Sequence, residues 1–352
     1  MSYISDLIAC PDRQEQLNVF FGCDKATMLK TNESSLAQFL MSPINTNNLL
    51  KTAVAPGGGK LRTVEAVFTP RIKSDDVSTS INRESCVAST PQGNRSESYT
   101  LDPDQGVQIE RKIRMADLAA ICKENEAYIT EMLMMMMDAA IRKMDVQLAS
   151  QIVLLSGNFG QGETGVDGND AKIVATLLSN GGLNSDFISE IDFASENAGY
   201  CYRPFVFGWG DIYKAYTKLA ASCCADNGLN VAALASSVGL QGSFIPNRNV
   251  KTSLGSDADF ITLDPGAVQL LTYNGFEGYG NSVSDQTFVQ TTIVHPQTGL
   301  TFDYQAKFDC GYWHFFVSLA FKAVGVPTDL YFSGDIYDGV TGVNKYKIVN
   351  PS

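Results

Sequence analysis

At 352 residues, with 44% hydrophobic and 10% aromatic side chains, the chain can bury a sizeable core, which argues against global disorder. Its formal net charge of −12 argues against tight, direct nucleic-acid binding, which depends on clustered Lys and Arg. That charge is uneven: residues 1–114 carry 13 acidic and 13 basic side chains, so the whole excess lies after Met115.

In chain order, residues 1–55 read as an arm. Short amphipathic pieces (Leu17 to Phe21, Leu36 to Met41) are separated by Asn- and Ser-rich text, a pattern suited to lying along another surface. Pro56-Gly57-Gly58-Gly59 is a hinge. Beyond it Val64, Ala66 and Phe68 alternate with Thr63, Glu65 and Val67 in the period of a strand, and Val107, Ile109 and Ile113 recur at even spacing. The polar text between them predicts a long two-stranded excursion, and such a hairpin is marginal in water without a partner surface.

A helix is predicted from about Leu118 to Leu155, capped by Asp117 and stopped at Ser156-Gly157. At ~1.5 Å per residue it would be a rod of roughly 57 Å. Its middle is dense in methionine (Met132, Met134, Met135, Met136, Met137, Met144), with Met132, Met135, Met136 and Met144 expected to pack the helix against several neighbours. Asp138 and Arg142 have the spacing of an i,i+4 ion pair. Charged residues such as Lys123, Glu131 and Asp138 interrupt the segment, so it falls short of the ~18 apolar residues of a membrane span, and no membrane partner is expected.

After the Gly-rich stretch 157–170, Pro204-Phe-Val-Phe207 reads as a buried strand, and Asp211 as the cap of a helix ending near Asp226-Asn227-Gly228. Asp264-Pro265 reads as a further helix start, leading into Ala267, Val268, Leu270 and Leu271. Leu300, Phe302, Tyr304, Ala306 and Phe308 alternate, as do Trp313, Phe315, Val317, Leu319 and Phe321. With the turn Asp309-Cys310-Gly311 between them, they predict a long antiparallel hairpin with a buried face.

Motifs of catalysis are weak throughout. Gly160, Gly162 and Gly165 match a dinucleotide-loop spacing but follow a helix, not a strand. Pro56 to Lys60 lacks the spacing and hydroxyl residue of a phosphate loop. Asp167, Asn169 and Asp170 begin like a calcium loop whose fifth position is Ala171. Asp257 and Asp259 read as loop carboxylates. The two histidines, His295 and His314, have no nucleophile motif beside them. Cys10, Cys23, Cys86, Cys122, Cys201, Cys223, Cys224 and Cys310 show no paired spacing, and no secretion signal is visible, so reduced thiols in a cytoplasm are expected. No enzyme, cofactor or metal is expected.

The order of arm, glycine hinge, polar excursion, spine helix, α/β region and closing strands resembles a tailed-phage major capsid protein of the Hong Kong 97 type. The text Ile293-Val-His-Pro-Gln-Thr-Gly-Leu-Thr-Phe-Asp-Tyr304 is similar to the closing hairpin of gut-phage capsid proteins. The resemblance implies an α+β capsid fold: N-terminal arm (1–55), extended loop (56–112), peripheral domain with spine helix (113–158), axial domain (159–284), and closing strands with a C-terminal tail (285–352). It further implies hexamers and pentamers of an icosahedral shell around double-stranded DNA, assembled in a bacterial cytoplasm. Portal, scaffolding and head-decoration proteins would be the partners, and DNA contact would be non-specific. Arg62, Glu65, Arg71, Lys73, Asp75 and Asp76 would make inter-subunit contacts. Lys60 and Lys73 lie where some such shells crosslink, but no matching asparagine and glutamate can be assigned. An encapsulin-like cage storing cargo enzymes is the alternative within the same fold type.

Overall fold

The computed structural model describes residues 36–41, 53–55, 62–68, 95–102, 104–114, 127–158, 172–174, 204–210, 212, 244–275, 283–285, 288–296, 298–325 and 342–349. Within them the chain forms helix α1 (Leu36–Met41) and strands β1 (Ala53–Ala55), β2 (Arg62–Phe68), β3 (Arg95–Leu101) and β4 (Gly106–Arg114). Helix α2 (Ala127–Leu155) follows, then β5 (Gly157–Asn158), β6 (Lys172–Val174), β7 (Phe205–Gly208), β8 (Phe244–Pro246) and helix α3 (Arg248–Leu254). The remaining strands are β9 (Phe260–Leu263), β10 (Val268–Tyr273), β11 (Val283–Asp285), β12 (Phe288–Val294), β13 (Thr301–Asp309), β14 (Tyr312–Gly325) and β15 (Val343–Val349).

Helix α2 contains no Gly or Pro and is rich in Ala, Leu, Met and Gln, the strongest helix formers, so it runs unbroken for 29 residues, ~43 Å. It ends at Leu155, before Ser156 and Gly157, where the stop signal lies in sequence. The predicted cap Asp117 lies outside the described residues. Buried positions follow more than one face: Ile129, Leu133, Met136, Met137, Ala140, Met144, Leu148 and Ile152 on one stripe, with Met132, Met134 and Ile141 widening it. The stripe is too broad for one contact, and β14 and β4, α1 and α3 all pack on the helix. Met132, Met136 and Met144 lie in that core, whereas Met135 is 51% exposed: four methionines in succession sample all directions, and one of them faces out.

The main sheet is built on the 14-residue β14. One of its edges takes β13 across the two-residue turn Cys310-Gly311, whose positive φ values of 49° and 81° suit the twist of a tight hairpin. Beyond β13 the same strand pairs with β10, from Tyr273↔Ala320 to Val268↔Gly325. The other edge takes β4 along nine residues, from Tyr312↔Arg114 to Ala320↔Gly106. A Cβ at Gly106 would collide with the carbonyl oxygen of Leu319, so this close approach requires glycine. Strands β12 and β11 complete the sheet outside β13. Its inner face carries Phe302, Tyr304, Trp313, Phe315, Val317 and Leu319, all buried.

Two sequence expectations change here. Val268, Leu270 and Leu271 belong to strand β10 and not to a helix. The Asp264 carbonyl closes a turn onto the Ala267 N–H (2.9 Å), Gly266 takes φ 83°, and the β14 edge supplies the ladder. The excursion is also not a simple two-stranded ribbon. Strand β2 pairs with β3, and β1 with β2, in a three-stranded sheet, while β4 leaves that sheet for the β14 edge.

A second sheet, ordered β5-β15-β9-β7-β8 with β6 also on β15, joins segments far apart in sequence. Phe260 and Tyr346 stack within it at 5.1 Å. The buried strand read at Pro204 to Phe207 is β7. Helix α3 connects this sheet to α2. Its N-cap Asn247 accepts the Val250 N–H (3.0 Å), and Ser253 meets Ser150 of α2 at 3.3 Å. Helix α1 docks on the same core. Phe39 lies edge-on to Phe205 and Phe207 at 4.7 and 5.0 Å, and the buried Asp145 of α2 accepts the Ala37 N–H at 3.1 Å.

Candidate functional site

Of the residues expected at inter-subunit contacts, Arg62 and Glu65 lie on β2, opposite Leu101 and Ser98 of β3. Arg71, Lys73, Asp75 and Asp76 fall outside the described residues, as do the Gly160 to Gly165 and Asp167 to Asp170 motifs and the helix expected after Asp211. Among the described residues, the excursion's base is the part with defined contacts to the body. Tyr99 Oη donates to the Gly325 carbonyl (3.1 Å), Lys322 Nζ donates to the Thr100 carbonyl (3.1 Å), and Leu101 is buried. The three-stranded sheet is thereby tied to the last residues of β14.

Beside this base lies an open groove of about 910 Å³ between the β3–β4 connection, the C-terminal half of α2 and the end of β14. Its floor includes two apolar side chains left in water, Val146 (42% exposed) and Leu154 (84% exposed). Its lip is acidic, with Asp102 and Asp104; Asp102 Oδ1 accepts the Asp104 N–H in a tight turn. Gln151, in the wall, accepts the Ala323 N–H (2.7 Å) and so seals the edge of β14 against the helix.

The opposite end of β4 has the reverse character. Arg111, Lys112 and Arg114 are exposed there, beside the β13–β14 hairpin tip. Lys112 lies over the Tyr312 ring at 4.5 Å, and Arg114 Nε donates to Tyr312 Oη at 3.2 Å. Lys307 lies one strand over, and Phe308 packs on Trp313. At the tip itself Asp309 raises the Cys310 thiol above its ordinary value, by hydrogen bond first and by charge second, with Lys112 opposing. The thiol is exposed and unpaired.

The two histidines play different parts. His295 is fully buried; its Nδ1 accepts the Thr298 N–H (3.2 Å), which leaves the proton on Nε2 to donate to Asp138 of α2 at 3.2 Å. Asp138 is thus bonded to His295, not to Arg142 as its spacing suggested: a buried imidazole is a better-held partner than a solvated guanidinium. The His295-to-Leu300 turn, closed by Gly299 at φ 71°, is pinned to the spine helix through this bond. With its acceptor nitrogen occupied and no exposure, His295 is a structural tie. His314 is at the surface, 2.7 Å from Glu110 across the β4–β14 pair. Asp259 is held by Lys251 (2.9 Å), and among the described residues no group of three His, Cys, Asp or Glu is placed to hold a metal ion. Nor is any helix among them long and apolar enough to cross a membrane.

No protein-family model and no curated protein matches the chain. Among solved structures, it is similar to a chain of the cyanophage A-1(L) capsid asymmetric unit, at 10% identity over 93% of this chain and 96% of that one, with a TM-score of 0.45. It is also similar to a chain of the cyanophage P-SCSP1u capsid (9% identity, 87% and 91% covered, TM-score 0.40). A third is a chain of the satellite phage P4 procapsid that includes the size determination protein (9% identity, 97% and 99% covered, TM-score 0.35).

Proposed function

We propose that this chain is a shell-building subunit: a phage major capsid protein of the Hong Kong 97 type whose copies form hexamers and pentamers around double-stranded DNA. The observation that carries the reading is the division of labour in the fold. A long helix is gripped on several sides by sheets and helices, while a separate three-stranded sheet leaves the body at Thr100 to Leu101 and is tied back by the Tyr99 and Lys322 bonds. A sheet of three short strands gains most by packing on a further surface, and an identical subunit supplies one at every position of a closed shell.

In this reading Arg62, Glu65, Arg71, Lys73, Asp75 and Asp76 meet the neighbouring copy. Single exposed ion pairs are worth roughly 0–1 kcal/mol, and repetition through a closed shell supplies the avidity. Electron microscopy of the purified chain tests this. Closed shells or hexameric sheets are expected; a monodisperse monomer at all concentrations and salts would overturn the proposal.

A further inference from the structure

The acidic groove and the basic tip lie at opposite ends of one strand. From Gly106 to Arg114 the strand spans ~27 Å, so the tip of one copy cannot reach its own groove. The groove offers an apolar floor (Val146, Leu154) under a carboxylate lip (Asp102, Asp104). The tip offers the Tyr312 ring flanked by Lys112 and Arg114, with Lys307 one strand over. Each surface supplies what the other lacks, in ring against apolar floor and in cation against carboxylate.

The charges of opposite sign at each surface already have partners within the chain. At the tip Asp309 engages the Cys310 thiol and Glu110 engages His314; in the groove Lys322 donates to the Thr100 carbonyl. By contrast, among the described residues no carboxylate lies within ion-pair distance of Lys112 or Lys307.

We propose that the tip formed by β4 and the β13–β14 hairpin of one copy seats in the Asp102/Asp104 groove of a second copy. This rests on the shell-building reading and names one of its joints. Because the two surfaces differ, the contact is head-to-tail: every copy gives its tip to one neighbour and its groove to another. Such contacts close into rings when the rotation per copy divides the circle, as in pentamers and hexamers. The hairpin turn and the excursion's base, far apart in sequence, meet at the same joint.

Charge reversal in the full-length chain tests the contact. Asp104→Lys and Lys112→Glu each place like charges across the joint, and each is expected to weaken association about tenfold at about 50 mM salt, an effect that shrinks at high salt. The double variant, with both reversals, restores opposite charges and is expected to recover parent-like assembly by sedimentation velocity. A mixture of the two single variants is expected to recover it in part. Circular dichroism checks the fold; where a reversal loses it, Asp104→Asn or Lys112→Gln takes its place with an expected effect of about threefold. Single variants that assemble like the parent, or a double variant that fails to recover, would overturn this joint while leaving the shell-building reading intact. A parent chain that stays monomeric would remove both.

Discussion

The sheet around β14 and the sheet around β15 share one hydrophobic core but are put together in opposite ways. In the first, β11 to β14 follow one another as an antiparallel meander, with only β4 and β10 brought from elsewhere. In the second, β15 pairs in parallel with β5 and β6 and antiparallel with β9, partners 80 to 190 residues away in round terms. Short local loops cost little entropy to close, so the meander can form from its own text. The second sheet joins strands far apart in sequence, so closing it costs more loop entropy. The chain's two tryptophans report the regions separately: Trp313 lies within the first sheet and Trp209 directly follows β7 in the second.

The largest effect is expected from Phe315→Ala. The ring is fully buried on β14, between β13 and β4, and its loss should cost about 3–5 kcal/mol. In a Trp209→Phe background, Trp313 fluorescence is expected to show an early urea transition. An unchanged midpoint would mean that β14 is not the hub of its sheet.

A smaller effect, confined at first to the second sheet, is expected in alkali. Burial pushes the Tyr346 phenol from its ordinary value of 10.0 up to about 12, against a lesser opposing influence of Thr262. The folded state therefore favours the neutral phenol. Its contribution to stability is whole below about pH 10 and is lost as pH rises through about 12. Tyr346→Phe should flatten the alkaline transition reported by Trp209. A transition identical in both chains would place the sensitivity elsewhere.

The smallest effect is expected from Asn247→Ala, which removes the cap of α3 and should cost about 1 kcal/mol. Because α3 links the second sheet to α2, the loss is expected in the Trp209 signal and not in that of Trp313. Equal shifts in both would show that the two sheets unfold as one unit.

How much was legible depended on the range of the physics involved. Alternation over Leu300 to Phe308 and Trp313 to Phe321, with Asp309-Cys310-Gly311 between, specified a hairpin because turn geometry and side-chain period act within a few residues. The Asp264-Pro265 start misled for a related reason. A capping pattern followed by Val268, Leu270 and Leu271 suits a helix, and only the free edge of β14 turned the segment into a strand. The candidate assembly surface was the least visible. The candidates chosen in the excursion were charged residues in polar text, whereas the described structure draws attention to Leu154, Asp104, Lys112 and Tyr312. Leu154 stands beside the buried Ile152 in a helix where most apolar residues face inward, and an apolar side chain off that stripe was the one available signal.

The sequence by itself determined the spine helix and its stop at Ser156, the β2 strand, the β7 strand and the closing hairpin. Each follows from propensity, period and turn chemistry among near neighbours. Tertiary structure alone decided that β4 would leave the excursion for β14, that Asp138 would serve His295, and that Asp145 would hold α1 through Ala37. Those choices join residues from 108 to more than 200 positions apart, where the deciding quantities are which edges are free and which polar groups are buried together.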